Sequence, residues 1–408
     1  MYNRTLLNAV KEINESFSVL LMTGPRQVGK TTLLEMCAEE NRRYVTLDDL
    51  DARQLAQNDP GLFIQTYPAP LVIDEVQYAP ELFSYIKMAV DKSKAKGMYW
   101  LTGSQKFHLM RGISESLAGR VAIIDLLGFS QAELDERKGV HAPFLPTSEW
   151  LAYARKPARE NRGLLETYHQ IWQGSFPQVN MDPKASTRQR FYSSYVQTYL
   201  QRDVRDILGV SNETAFYNFI SAVAARTGQL LNYADLARDV AIDNKTAKSW
   251  LSVLETSGLV YLLKPYHRNV TKRLIKTPKL YFLDTGLCTY LTKWPDAASL
   301  EAGAMSGAIL ETYLFSEILK SYWHNGLEAP FYFYRDTDQR EVDLVIEQAD
   351  TLYPVEFKKT ATPSRTASKH FPALGKLGKK VGHGAVVCFV ENEIPLSGMV
   401  SAIPVHYL

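Results

Sequence analysis

Gly24-Pro25-Arg26-Gln27-Val28-Gly29-Lys30-Thr31, followed by Thr32, is the stretch that decides how this chain is read. It fits G-x-x-x-x-G-K-[ST], a pattern that has physical meaning only with a strand before it and a helix after it. Both flanks are present. Phe17 to Thr23 (FSVLLMT) is a short apolar run that reads as a buried strand. From Thr32 onward, TLLEMCAEE reads as a helix with Leu33, Leu34 and Cys37 on one face. Backbone N–H groups of such a turn, at the start of a helix, face a polyanion. Lys30 is then placed to reach β- and γ-phosphates, and the Thr31 hydroxyl to help hold Mg²⁺.

Outward from this loop, strands and helices alternate to about residue 130. Arg43 to Leu47, Leu71 to Glu75, Met98 to Thr102 and Val121 to Leu126 read as further strands. The alternation predicts a parallel sheet covered on both faces. Leu71-Val72-Ile73-Asp74-Glu75 ends in two carboxylates, 44 residues beyond Lys30 (74 minus 30). Asp74, at the carboxyl end of a buried strand, suits a Mg²⁺ contact, and Glu75 suits orienting or activating the attacking water. Ser104 follows the next strand and is a candidate sensor of the γ-phosphate; a helix cap suits serine equally well. Arg120 is a candidate for stabilising charge on the transferring phosphate, in its own chain or a neighbour's, with Arg111 as competitor.

GPRQVGKTT, LVIDEVQ, LTGSQ and ESLAGR, in this order, resemble a large bacterial and archaeal family of AAA-type P-loop ATPases. These proteins carry a C-terminal domain of unknown function related to restriction-endonuclease folds. The likeness continues in GSFP (Gly174 to Pro177) and YLQRDVRDI (Tyr199 to Ile207). It implies ATP rather than GTP, and the lack of an N-K-x-D guanine motif agrees. The expected fold is α/β throughout most of the chain. A P-loop NTPase domain spans 1–130, a helical lid or linker 131–210, a winged helix-turn-helix 211–290 and a restriction-endonuclease-like α/β domain 291–408. Residues 131–160 read as an irregular connector, and 163–207 as mainly helical. In RDVRD, intrachain ion pairs compete with nucleotide sensing for Arg202 and Arg205.

The winged-helix reading rests on three helices and a hairpin. Ala215, Phe216, Phe219, Ile220 and Val223 form one apolar face. Asn232 and Asp243 suit the caps of two further helices, and Gly258 the stop of the last. Trp250, Leu251 and Leu254 turn inward, which leaves Lys245, Thr246, Lys248 and Ser249 facing solvent or a DNA groove. Between the hairpin strands, Lys264 to Lys279 carries six basic residues and no acid: Lys264, Arg268, Lys272, Arg273, Lys276 and Lys279. Such a cluster suits phosphate contacts; a solvated loop on a protein-binding winged helix is the bland alternative.

In the last domain Asp343 precedes Glu356-Phe357-Lys358 by 13 residues (356 minus 343), across an apparent hairpin turn. This is the PD-(D/E)xK nuclease pattern, with Val342 where a proline is common. Two carboxylates at a sheet edge can hold Mg²⁺, which lowers the pKa of bound water. Lys358 shares the face of Glu356, two residues away on the strand. Glu311, on an amphipathic helix expected over Ala308 to Lys320, is a candidate further ligand. Lys358 to Lys380 again carries seven basic residues and no acid.

Composition restricts the remaining choices. At 408 residues the chain has room for two to four domains, and 46% hydrophobic with 22% charged residues is ordinary for globular protein. The net charge of +2 points to no partner by itself. Three distant cysteines suit a reducing compartment, and no apolar run approaches a membrane span. A cytoplasmic protein that binds ATP and Mg²⁺ and acts on DNA is therefore expected, as a possible homo-oligomer. An ATP-regulated, metal-dependent nuclease is one alternative, and a signalling or toxin-antitoxin-like scaffold with a protein partner is another.

Overall fold

Alternation along the strands of the N-terminal sheet explains how it is buried. The computed structural model describes residues 2–103, 109, 113, 116–136, 142–155, 162–199, 213–267 and 277–408. Strands β1 (Val19–Thr23), β2 (Arg43–Thr46), β3 (Leu71–Asp74), β4 (Tyr99–Thr102) and β5 (Val121–Asp125) are all parallel, in the order β2-β3-β4-β1-β5. Val19, Leu21, Ile73, Tyr99 and Leu101 point to one face, where the helices Leu50–Asn58, Pro60–Thr66 and Leu82–Ser93 cover them. Leu20, Met22, Val72, Trp100 and Ile124 point to the other, against the helices Leu6–Ser16 and Lys30–Cys37. This is the period-2 consequence of strand geometry. The second core does not stop at the sheet. It runs on without a break through the helices Ser148–Arg155 and Leu164–Gln173 into the rest of the chain.

Three helices, Glu213–Ala224, Tyr233–Asp239 and Asn244–Thr256, accompany a three-stranded antiparallel sheet. Its strands are β6 (Gln229–Leu230), β7 (Val260–Leu263) and β8 (Lys279–Phe282), in the order β6-β8-β7. Asn232 and Asp243 each accept two backbone N–H bonds at their helix starts, and Gly258 takes a positive φ just past the last helix. Trp250 packs edge-on against Phe216 and Phe219.

The C-terminal sheet has strands β9 (Phe331–Arg335), β10 (Glu341–Gln348), β11 (Thr351–Phe357), β12 (Lys380–Val381), β13 (Gly384–Cys388), β14 (Ile394–Ser397) and β15 (Val400–Pro404). Their order is β14-β15-β13-β11-β10-β9, with β12 beside β11. β10 and β11 form the expected hairpin, with Gln348 opposite Thr351. Just after β7 the chain runs alongside β9: Tyr266 N–H donates to the Phe333 carbonyl (2.6 Å) and Phe333 N–H to the Lys264 carbonyl (3.1 Å). The small and large sheets are thereby joined.

Two expectations from sequence are corrected. The irregular connector 131–160 contains the helices Gln131–Leu134 and Ser148–Arg155, the first held by a Ser130/Glu133 capping box. The helix predicted over 308–320 runs Ser306–Trp323 and is buried nearly all round, not amphipathic. Its charges are paired inside the protein. Glu317 accepts the Gln131 N–H (2.7 Å), and Lys320 donates to the Phe129 carbonyl (2.9 Å) and to Glu317 (2.8 Å).

A second buried charge cluster ties the N-terminal segment and the end of the helix Ser306–Trp323 to the phosphate loop. Arg4 donates to Glu133 (3.3 Å) and to the carbonyls of Val28 (3.2 Å) and Leu127 (2.7 Å). His324 accepts the Leu127 N–H at Nε2 (3.4 Å), so its ring proton lies on Nδ1, 3.3 Å from Glu133. Burial pushes Glu133 up, but Arg4 and His324 outweigh it and hold the carboxyl far below its usual range. Burial lowers His324 and outweighs the pull of Glu133. Both shifts have the same consequence in acid. Below about pH 6.5 the unfolded chain gains a proton at His324 that the native ring resists, and below about 4.5 it gains another at Glu133. Stability is therefore expected to fall as pH drops from 7 to 5, and more steeply below. Glu133→Ala, which leaves the buried Arg4 uncompensated, is expected to cost about 3–5 kcal/mol and to lower the calorimetric melting temperature. An unchanged melting temperature would contradict the bracing role.

Candidate functional site

The carboxyl ends of β1 and β3 lie at the same edge of a parallel sheet, and this brings the two sequence signatures together. Arg26, Gln27, Gly29, Lys30, Thr31, Thr32, Asp74 and Glu75 line one cleft of about 410 Å³, with Thr198 as a further wall. Gly29 adopts φ +91° immediately before the helix Lys30–Cys37, which turns the loop into the helix start. Gly24 allows the close approach that seats the loop. Its φ is +141°, and a Cβ there would overlap the Leu126 carbonyl oxygen. Lys30 Nζ donates to the carbonyls of Gly24 (3.0 Å) and Pro25 (2.9 Å) across the loop. Val28 points away from the cleft into the core.

Asp74 is the hub. Thr31 donates to its Oδ2 at 3.0 Å and Tyr44 to the same oxygen at 2.8 Å, while Thr102 donates to Oδ1. Burial, and then the Asp74 hydrogen bond, hold the Tyr44 phenol well above its usual pKa, so it stays a donor. Glu75 sits at φ +54°, its side chain bonded by Gln77. Tyr44, Thr102, Gln77 and Thr198 were not singled out in the sequence. Gln77 stood inside LVIDEVQ, and Thr198 directly precedes YLQRDVRDI, of which residues 200–207 lie outside the described residues.

Other candidates divide. Ser104 and Arg111 lie outside the described residues. Arg120 does not line the cleft. It precedes β5, and its carbonyl accepts from Val19 N–H at the amino edge of the sheet. The carboxyl edge is a five-residue strand away, about 16 Å. At the amino edge Arg120 pairs with Asp91 at 2.6 Å. A role for Arg120 on its own chain's phosphate is thus corrected: the strand direction puts it at the wrong end. GSFP is a packing joint: Ser175 donates through N–H and hydroxyl to Asp284, 2.7 Å each, and Asp284 caps the helix Thr285–Leu291. Lys245, Lys248 and Ser249 are exposed on the outer side of the helix Asn244–Thr256. Arg268, Lys272, Arg273 and Lys276 lie outside the described residues. Lys279, counted with that basic loop, is buried.

Glu311, Asp343, Glu356 and Lys358 do come together, with Glu341 beside them. Phe357 N–H donates to Asp343 (3.0 Å), and Lys358 pairs with Glu356 (2.6 Å). Burial, then the neighbouring Asp343 charge, push Glu311 up to about 7 and Glu356 up to about 8. On the Glu311, Glu341 and Asp343 side the place of a divalent ion is already taken by a lysine, while Glu356 keeps one buried oxygen, Oε2, without a hydrogen-bond partner among the described residues. Lys279 Nζ sits among the carboxylates, 2.7 Å from Glu311, 2.9 Å from Glu341 and 3.8 Å from Asp343. Among the described residues no three or more His, Cys, Asp or Glu side chains are grouped so as to hold a metal ion. Nor is any described helix long and apolar enough to cross a membrane.

A parallel sheet with a Gly-rich loop after β1 and paired acids after β3 defines an AAA-type P-loop domain. A family model described as "AAA domain" matches residues 16–135, and two described as domains of unknown function, DUF8612 and DUF4143, match 165–298 and 306–408. The chain is 30% identical over 389 residues to uncharacterized proteins of Mycobacterium tuberculosis (Rv2008c) and Mycobacterium bovis (Mb2031c). The match covers 95% of this chain and 80% of each relative, and the chain belongs to their family. Among solved structures it is similar to the Walker-type ATPase PABY2304 of Pyrococcus abyssi: 15% identity, 71% of this chain and 96% of that one, TM-score 0.44. It is also similar to a point variant of Thermotoga maritima RuvB: 16% identity, 63% and 86% coverage, TM-score 0.31. Both are partial likenesses.

Gly24→Ala is expected to force the loop off Leu126, with strain of about 1–3 kcal/mol. The variant should melt lower than the parent and lose the upward melting shift that ATP with Mg²⁺ gives the parent. A variant stabilised by ATP as strongly as the parent would contradict this seating of the loop.

Proposed function

We propose that the chain binds ATP with Mg²⁺ in the cleft over residues 24–32, hydrolyses it, and couples nucleotide state to a hold on DNA. The observation that carries the reading is the convergence of Lys30, Thr31, Asp74 and Glu75 on one cleft. The residues suit Mg²⁺, because the Thr31 hydroxyl and the Asp74 carboxylate already meet at 3.0 Å, one neutral and one anionic oxygen ligand. When bound, the ion neutralises charge on the phosphate oxygens. The backbone N–H groups at the start of Lys30–Cys37 bind the phosphate tail, and Lys30 turns from the Gly24 and Pro25 carbonyls toward it. Glu75 orients the attacking water, and Gln77 fixes the carboxylate's position.

Action on DNA is supported by the region 213–282, read as a winged helix. The helix Asn244–Thr256 buries Trp250, Leu251 and Leu254 and presents Lys245 and Lys248 outward. Coupling has a short route. Gly258, which ends that helix with φ +71°, lies against Pro25 of the phosphate loop, and a Cβ on it would stand 3.0 Å from Pro25 Cδ. If Arg120 serves hydrolysis it serves the cleft of a second copy, which makes the active form a homo-oligomer. The nuclease alternative draws on the Asp343/Glu356/Lys358 grouping, and the lysine among those carboxylates weighs against it.

Glu75→Gln is expected to keep ATP affinity and lose about 10²–10⁴-fold in turnover, whereas Lys30→Ala loses ATP affinity itself. In the parent, ATP turnover should rise with duplex, forked or junction DNA. Turnover unchanged by all three, with no DNA binding at low salt, would overturn the DNA reading and leave the ATPase reading standing.

A further inference from the structure

Four carboxylates from three elements converge in the C-terminal unit: Glu311 from the helix Ser306–Trp323, Glu341 and Asp343 from β10, and Glu356 from β11. Such a set ordinarily demands a cation. Here the cation is supplied by the protein, and from another sheet. Lys279 lies on β8, its side chain 5% exposed, and its ammonium touches Glu311 and Glu341 at 2.7 and 2.9 Å with Asp343 at 3.8 Å. Tyr281, two residues along the same strand, donates to Glu311 at 2.7 Å and stacks on Phe315. The lysine is therefore held at its base by β8 pairing and flanked by a packed ring.

We propose that Lys279 is the resident cation of this centre: it takes the place of a divalent ion among Glu311, Glu341 and Asp343, keeps that ion out, and locks the small antiparallel sheet onto the C-terminal one. Mg²⁺ needs oxygen ligands at about 2.0–2.1 Å, and the ammonium against Glu311 and Glu341, 3.8 Å from Asp343, repels a second cation at those three carboxylates. Removing the ammonium alone would leave Glu311, Glu341 and Asp343 buried and facing one another, which keeps the lysine in place. The end of the basic stretch 264–279 is thus anchored rather than available to phosphate, and the C-terminal unit serves as a fixed platform, not a phosphodiester-cleaving centre. This goes beyond the ATPase reading and does not depend on it.

Mn²⁺ titration of the nucleotide-free full chain, followed by electron paramagnetic resonance, tests the proposal, with Asp343→Asn isolating this centre from the cleft at Asp74. The parent and its Asp343→Asn variant should take up Mn²⁺ identically up to about 1 mM. Lys279→Met should gain one Mn²⁺ per chain, and lose it again when Asp343→Asn is added. Uptake by the parent that Asp343→Asn abolishes would overturn the proposal. So would a folded Lys279→Met that binds no more than the parent. If Lys279→Met does not fold, the parent against Asp343→Asn decides alone: equal uptake upholds exclusion, and unequal uptake refutes it.

Discussion

The Asp74 carboxylate is where the nucleotide-binding half of this protein is held together. Three hydroxyls from three different elements, Thr31, Tyr44 and Thr102, converge on its two oxygens. That convergence is possible only because β1 to β4 run parallel and end at one edge, so that the loop after β1 and the acids closing β3 share a rim. A carboxylate saturated by hydroxyl donors stays aimed at one point. The same geometry that gathers these groups sends Arg120 to the far rim. Strand direction alone thus sorts groups able to meet a phosphate within one chain from one that is not.

Elsewhere the chain uses buried charges as joints between distant segments. Arg4, Glu133 and His324 fasten the N-terminus, the end of the ATPase sheet and the long C-terminal helix to the back of the phosphate loop through the Val28 carbonyl. Lys320 and Glu317 bind that helix to Phe129 and Gln131. Lys279 fastens the middle sheet to the last one. Each joint carries desolvation costs that only a complete set of partners offsets. Together with an apolar core that runs from β1 to β15, they make the nucleotide cleft mechanically continuous with the rest of the molecule.

What the sequence revealed, and what it hid, follows from how far apart the partners lie. The phosphate loop, LVIDE, and the Asn232 and Asp243 caps were legible because each is a local pattern: the groups that interact are within a few residues, or lie on successive strands with known direction. Lys279 read as one more basic residue in a loop because its partners stand 32, 62 and 64 residues away (311, 341 and 343 minus 279). Tyr44 gave no signal, since only the β2–β3 pairing brings it to Asp74. Glu317 and Lys320 lie on the helix expected to be amphipathic, yet both are buried against groups about 190 residues upstream (317 minus 131 is 186; 320 minus 129 is 191). Arg120 was readable in principle: a residue before a strand parallel to β1 must stand opposite the phosphate loop.

The account rests on residues 24–32 receiving a triphosphate tail with its metal held at Asp74. Calorimetric titration of ATP into the nucleotide-free chain, with Mg²⁺ and then with the metal chelated, tests this most directly when repeated on Asp74→Asn. ATP should bind the parent more tightly with Mg²⁺ than without, and Asp74→Asn should abolish that difference while keeping the fold. No ATP uptake by the parent, or uptake indifferent to both Mg²⁺ and Asp74, would contradict it.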